Sequence, residues 1–135
     1  ILQIFFNNLK VLFFSILFAF FYGAGAIFIL TWNASVIGAA IGDFAKNKLV
    51  EVSTYFFSVP IAIGRYMTHG VFEILAYFVG GLAGGIISVA IINHDINSDK
   101  FRIIIRDSLD LIILSVILLI IATLVEVFIT PLIFS

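Results

Sequence analysis

The chain has 135 residues, of which 63% are hydrophobic and 11% charged, with a mean hydropathy of +1.27. A soluble domain carries about a quarter charged residues, so a polar shell cannot cover these apolar side chains; disorder needs low hydrophobicity and high net charge. The net charge of -1 leaves no basic footprint for nucleic acid, and the absence of cysteine removes disulfides and thiolate chemistry.

Charge-free stretches define the elements. A helix needs about 20 apolar residues to cross a hydrocarbon core of about 30 Å, and helices are required because an open sheet edge cannot satisfy its backbone in lipid. The first span is expected at about residues 9–31, between Lys10 and Asp43. The chain starts at Ile1 without Met, apolar from the outset, and reads as one trimmed of an upstream segment. Two shorter apolar pieces follow, at about 34–45 and 53–68, with Asn33 as N-cap of the first and Ser53 or Thr54 of the second. Pro60 should kink or end the second, so the pair is expected as a re-entrant hairpin or two short tilted helices. Irregular backbone at that depth needs protein cover or a wet cavity, which makes residues 33–70 a natural place to look for function.

The second and third long spans are expected at about 71–92 and 109–130. Between them, residues 100–107 are amphipathic and are expected along the membrane surface, with Asp107 or Ser108 capping the last helix. Whether the short pair crosses twice or dips and returns, it leaves the chain on the side where it entered, so Lys10 is expected to share a side with Lys100, Arg102 and Arg106. Basic residues favour the cytoplasm, so residue 1 and the 93–108 loop are expected inside and residue 135 outside. The fold expected is an all-α polytopic transmembrane helix bundle in the cell membrane, with three long spans and a pair of short or broken helices. Residues 1–135 form a single transmembrane domain in this reading.

Helix association in lipid rests on close packing through small residues. Stripes of that kind are Ser15, Ala19 and Gly23, then Ala34, Gly38 and Gly42, then Gly80 with Gly84 and Gly81 with Gly85. Packing within the bundle is the first use of such faces; a homodimer is the second. Gly80 to Gly85 has no preceding strand and is no phosphate loop, Ser88 and Ser115 have no placed base, and His94 and Asp95 read as turn residues.

The buried acids carry the functional argument. Glu73 and Glu126 lie at matched offsets on two antiparallel neighbours, about 3 Å apart in depth. Ala76, Gly80 and Gly84 share the face of Glu73, and Ala122 and Thr123 that of Glu126. A carboxylate in lipid costs about 2.5–3.5 kcal/mol even on a lenient scale, which turns both acids toward the bundle. His69 precedes Glu73 by one turn and Arg65 precedes His69 by another, giving a polar cluster of Arg65, His69, Glu73 and Glu126. Asn7, Asn8 and Asn33 are its candidate hydrogen-bond partners. Three roles stay open: a structural cluster, ion or proton handling in a small transporter or channel, and an intramembrane metalloenzyme. No cofactor is expected beyond a divalent cation, for which His69, Glu73 and Glu126 are the candidate ligands. No metalloprotease signature with paired histidines is present.

Four patterns give the chain a family resemblance: Phe5-Phe6-Asn7-Asn8-Leu9-Lys10 opening an apolar helix, Asn33 followed by Gly38, His69-Gly70-Val71-Phe72-Glu73, and Glu126-Val127-Phe128-Ile129-Thr130-Pro131. Together they resemble the stage II sporulation protein M family of integral membrane proteins, with Thr68 where Pro is usual and Ala34 where Gly is usual. The resemblance implies a non-enzymatic component or scaffold of a membrane or envelope complex, with the bilayer and other membrane proteins as partners. In spore formers the namesake works beside peptidoglycan-remodelling proteins during engulfment, while similar proteins occur in bacteria and archaea that never sporulate. The family's usual His, Gly and Glu positions coincide with the cluster read from depth and helical face.

Overall fold

The computed structural model describes residues 1–23, 27, 30–31, 34–35, 38–39, 41–43, 46, 52–93 and 96–133, with side chains of 52–58 left aside. The described residues are almost entirely helical and none lies in a strand. Three helices among them are long and apolar enough to cross a membrane. They are α1 (Leu2–Tyr22), α2 (Val52–Asn93) and α3 (Asp99–Leu124); α3 continues through a π-helical turn, Val125–Ile129, into α4 (Thr130–Ile133).

Several expected boundaries move. The first span covers Leu2–Tyr22 rather than 9–31, because Gly23 adopts φ 62 and its N–H bonds back to the carbonyl of Ala19. A left-handed glycine just past the last helical residue is a helix stop that an uninterrupted apolar run conceals. The second of the two expected short helices is not a separate element, since 53–68 is the first part of α2. Pro60 lies inside that helix, which is 42 residues long, about 63 Å at 1.5 Å per residue. Asn33 and part of the 34–45 piece lie outside the described residues; Ala34, Ser35, Gly38, Ala39 and Ile41–Asp43 are helical. The third span begins ten residues earlier than expected. Ser98 caps α3 by accepting the Phe101 N–H at 3.2 Å, so 100–107 is its first two turns rather than a surface helix.

Helix directions overturn the expected sidedness. Asn8 meets Glu73, Leu12 and Ile16 meet Gly80, and Ile16 meets Gly84, so α1 and α2 run parallel. Glu126 meets Glu73 while Ile104 lies near Val89 and Ala90, so α3 runs antiparallel to both. Residue 1 therefore shares an end with Thr130–Ile133, and the connection between α2 and α3 lies at the other. The parity argument failed because it treated 34–45 and 53–68 as one out-and-back unit. With 53–68 inside α2, that helix begins at the same end of the bundle as α1.

α2 is the central helix, packed along both α1 and α3, and its sequence explains why. Ala62, Ala76, Gly80, Ala83, Gly84 and Ala90 are buried, so neighbouring backbones come close. At Gly84 an added Cβ would fall on the backbone carbonyl of Ile16; at Gly80 it would meet the Leu12 side chain. Gly38 and Gly42, expected to pack in the same way, have no described atom within 4 Å of such a Cβ. The facing stripes are Asn8, Leu12, Ser15 and Ala19 on α1, and Ser108, Ser115, Leu119, Ala122 and Thr123 on α3. Their hydroxyls need no distant partner. Ser15, Ser108 and Thr123 each donate to the carbonyl four residues back, and Ser115 to the one three back. Leu12, Ala76, Tyr77 and Leu119 close the core, and large apolar side chains such as Phe21, Phe78 and Ile113 face outward.

Candidate functional site

The cluster forms where the N-terminal half of α1, the middle of α2 and the end of α3 converge. His69 and Glu73 sit one turn apart on α2, as i, i+4 spacing requires. Glu126 comes from the π-helical turn. One donor atom from each of His69, Glu73 and Glu126 lies within 4.8 Å of the others, and all three residues are half-buried. The Nδ2 of Asn8 donates to Oε1 of Glu73 at 2.5 Å, linking α1 to the group.

The π-turn is written in the sequence around Pro131. Proline has no N–H to give the carbonyl four residues back, and its ring crowds that carbonyl. Here that carbonyl belongs to Val127. The backbone widens by one residue, and the Thr130 N–H reaches the carbonyl of Val125 instead. The Thr130 hydroxyl donates to the same oxygen at 3.2 Å. Glu126 is carried inside this turn, a kind of interruption that is frequent at functional sites. Glu126-x-Phe-x-Thr-Pro131 is thus a structural device as well as a pattern.

A cleft of about 410 Å³ opens onto the cluster, lined by Ile4, Arg65, Tyr66, His69, Glu126, Val127, Thr130 and Pro131. Below Glu73 the bundle closes: Tyr77, one turn further on, is 2% exposed, and Leu12 and Leu119 are no more than 1% exposed. The cluster therefore sits at the bottom of a one-ended depression. The His69 Nδ1 is buried without a hydrogen-bond partner among the described residues. The Tyr66 ring lies 6.4 Å from the imidazole, tilted by 57°.

Of the expected members, the structure brings together His69, Glu73, Glu126 and Asn8. Arg65 is exposed on the cleft wall, and among the described residues no ion pair joins it to either glutamate. Asn7 is exposed, one position round the helix from Asn8, and Asn33 lies outside the described residues. Tyr66, Tyr77 and Thr130 were not anticipated. Tyr77 had a signal, since it follows Glu73 by four residues on the same face.

The model of the family described as stage II sporulation protein M matches residues 1–131, which include both of the site's motifs. An uncharacterised protein of Methanocaldococcus jannaschii is 29% identical over 129 residues, covering 93% of this chain and 67% of the relative. No solved structure matches.

Proposed function

The chain belongs to the stage II sporulation protein M family, and from that premise we propose that it is a non-enzymatic membrane component that organises a membrane or envelope complex. The observation that carries this reading is the closed core directly beneath the cluster, where Leu12, Ala76, Tyr77 and Leu119 are each no more than 2% exposed. A conduit needs a continuous path, and a closed core of interlocked helices supports a rigid platform instead. Lys100, Arg102 and Arg106, in the first turns of α3, favour the cytoplasm for that end of the bundle, which argues for residue 1 and the cleft on the outer side.

Ion or proton handling is the second reading, favoured by the cleft that reaches His69 and Glu126. Reconstituted proteoliposomes under a pH or cation gradient separate the two, together with cross-linking in native membranes. The scaffold reading expects leakage equal to that of empty liposomes and membrane proteins captured at fixed stoichiometry. A flux that Glu73→Gln abolishes overturns it.

A further inference from the structure

We propose that His69, Glu73 and Glu126 hold one divalent transition-metal cation of the zinc class, which clamps α2 to the π-turn and, through Asn8, to α1. This goes beyond the scaffold reading and stands without it.

The donor set is one imidazole nitrogen and two carboxylates, with no thiolate. Such nitrogen–oxygen sets suit zinc and its first-row neighbours rather than magnesium, which keeps its water and prefers oxygen. With bonds of about 2.1 Å, tetrahedral ligands stand about 3.4 Å apart. The three donors already lie within 4.8 Å of one another. Closing that gap takes side-chain rotation and leaves the helices in place.

Charge balance points the same way. Two carboxylates face each other in a half-buried site, and among the described residues neither His69 nor Arg65 forms an ion pair with them. An uncompensated buried charge is strongly destabilising, and a divalent cation neutralises two acids together. The buried His69 Nδ1 has no hydrogen-bond partner among the described residues, which leaves that nitrogen available to an ion. Metal-bound carboxylates are usually oriented by an outer hydrogen bond. Asn8 makes such a bond to one oxygen of Glu73 and leaves the second oxygen free for the ion. The cleft lined by Tyr66 and Thr130 opens onto His69 and Glu126, the side from which a further ligand would enter.

The test uses the full chain, purified in detergent and stripped with a chelator, then titrated with zinc, manganese and magnesium chlorides. Calorimetry and elemental analysis are expected to give one zinc per chain, with magnesium failing to compete. Glu73→Gln, Glu126→Gln and His69→Gln should each weaken zinc binding by at least about 100-fold, and Asn8→Ala by about 10-fold. Asp110→Asn, an exposed acid on α3, should bind as the native chain does. X-ray absorption of the zinc-loaded native chain gives a readout that does not depend on variants folding; nitrogen and oxygen neighbours at about 2.0–2.2 Å are expected. No saturable uptake by the native chain, magnesium binding as tightly as zinc, or Glu126→Gln binding unchanged overturns the proposal. Because the titration is done in detergent, its outcome is independent of complex recovery and of flux.

Discussion

Gly84 and Gly85 are adjacent and chemically identical, yet the structure gives them opposite responses to one methyl group. An alanine Cβ at Gly84 falls on the carbonyl oxygen of Ile16, backbone against backbone, with no rotamer to relieve it. α1 and α2 must then move apart along their whole contact. Overpacking of this kind costs about 1–3 kcal/mol, while replacing glycine in a helix interior returns up to about 1 kcal/mol. The net for Gly84→Ala is a loss of about 1–2 kcal/mol. At Gly85 no described atom lies within 4 Å of the new Cβ. Gly85→Ala therefore keeps the propensity gain of about 0.4–1 kcal/mol. The two variants should differ by about 2 kcal/mol, a factor of about 30 in unfolding equilibrium at 1.4 kcal/mol per tenfold. Gly80→Ala should fall between them, because it meets the tip of a leucine side chain. Reversible unfolding in mixed detergent–dodecyl sulfate micelles measures all three. Equal effects at Gly84 and Gly85, or a stabilised Gly84→Ala, would refute the parallel α1–α2 contact.

Two further predictions concern topology and the π-turn. The chain has no cysteine, so single cysteines at the exposed positions Leu2, Ile96 and Leu132 can be labelled with an impermeant maleimide in oriented vesicles. Leu2→Cys and Leu132→Cys should react from one side and Ile96→Cys from the other; Leu2→Cys reacting together with Ile96→Cys would contradict the helix directions. Pro131→Ala restores an amide donor for the carbonyl of Val127. A regular α-helix through 125–130 then turns one side of the interruption by about 100° relative to the other. Cryo-electron microscopy of that variant should show Glu126 withdrawn from His69 and Glu73, and an unchanged cluster would mean that Pro131 does not make the turn.

The legible part of this molecule is what lipid polices most strictly. Ionisable residues inside a span are rare and must face the bundle, so depth and helical face alone could pair Glu73 with Glu126 and set His69 beside them. Helix ends were less legible. In a chain this apolar the hydropathy pattern does not change where a helix stops, and only the conformation of Gly23 and the Ser98 cap mark the true limits. Pro60 misled for a related reason: in a membrane protein a helix can continue through proline when neighbours satisfy the freed carbonyl. That single misreading split α2 and reversed the sidedness of α1. The π-turn needed the consequence of Pro131 worked through to the Val125 carbonyl, which pattern alone does not supply.

The meeting of Glu73 with Glu126 is best tested by a double-mutant cycle on unfolding free energy, with Glu73→Gln, Glu126→Gln and the pair measured in metal-free detergent. Groups in contact couple by about 0.5–3 kcal/mol, whereas sites more than about 7–10 Å apart add within about 0.3–0.5 kcal/mol. With donor atoms within 4.8 Å, the account predicts a coupling of at least about 1 kcal/mol, the second substitution gaining less than the first because the repulsion is relieved only once. Strict additivity would mean that the two carboxylates do not share a site.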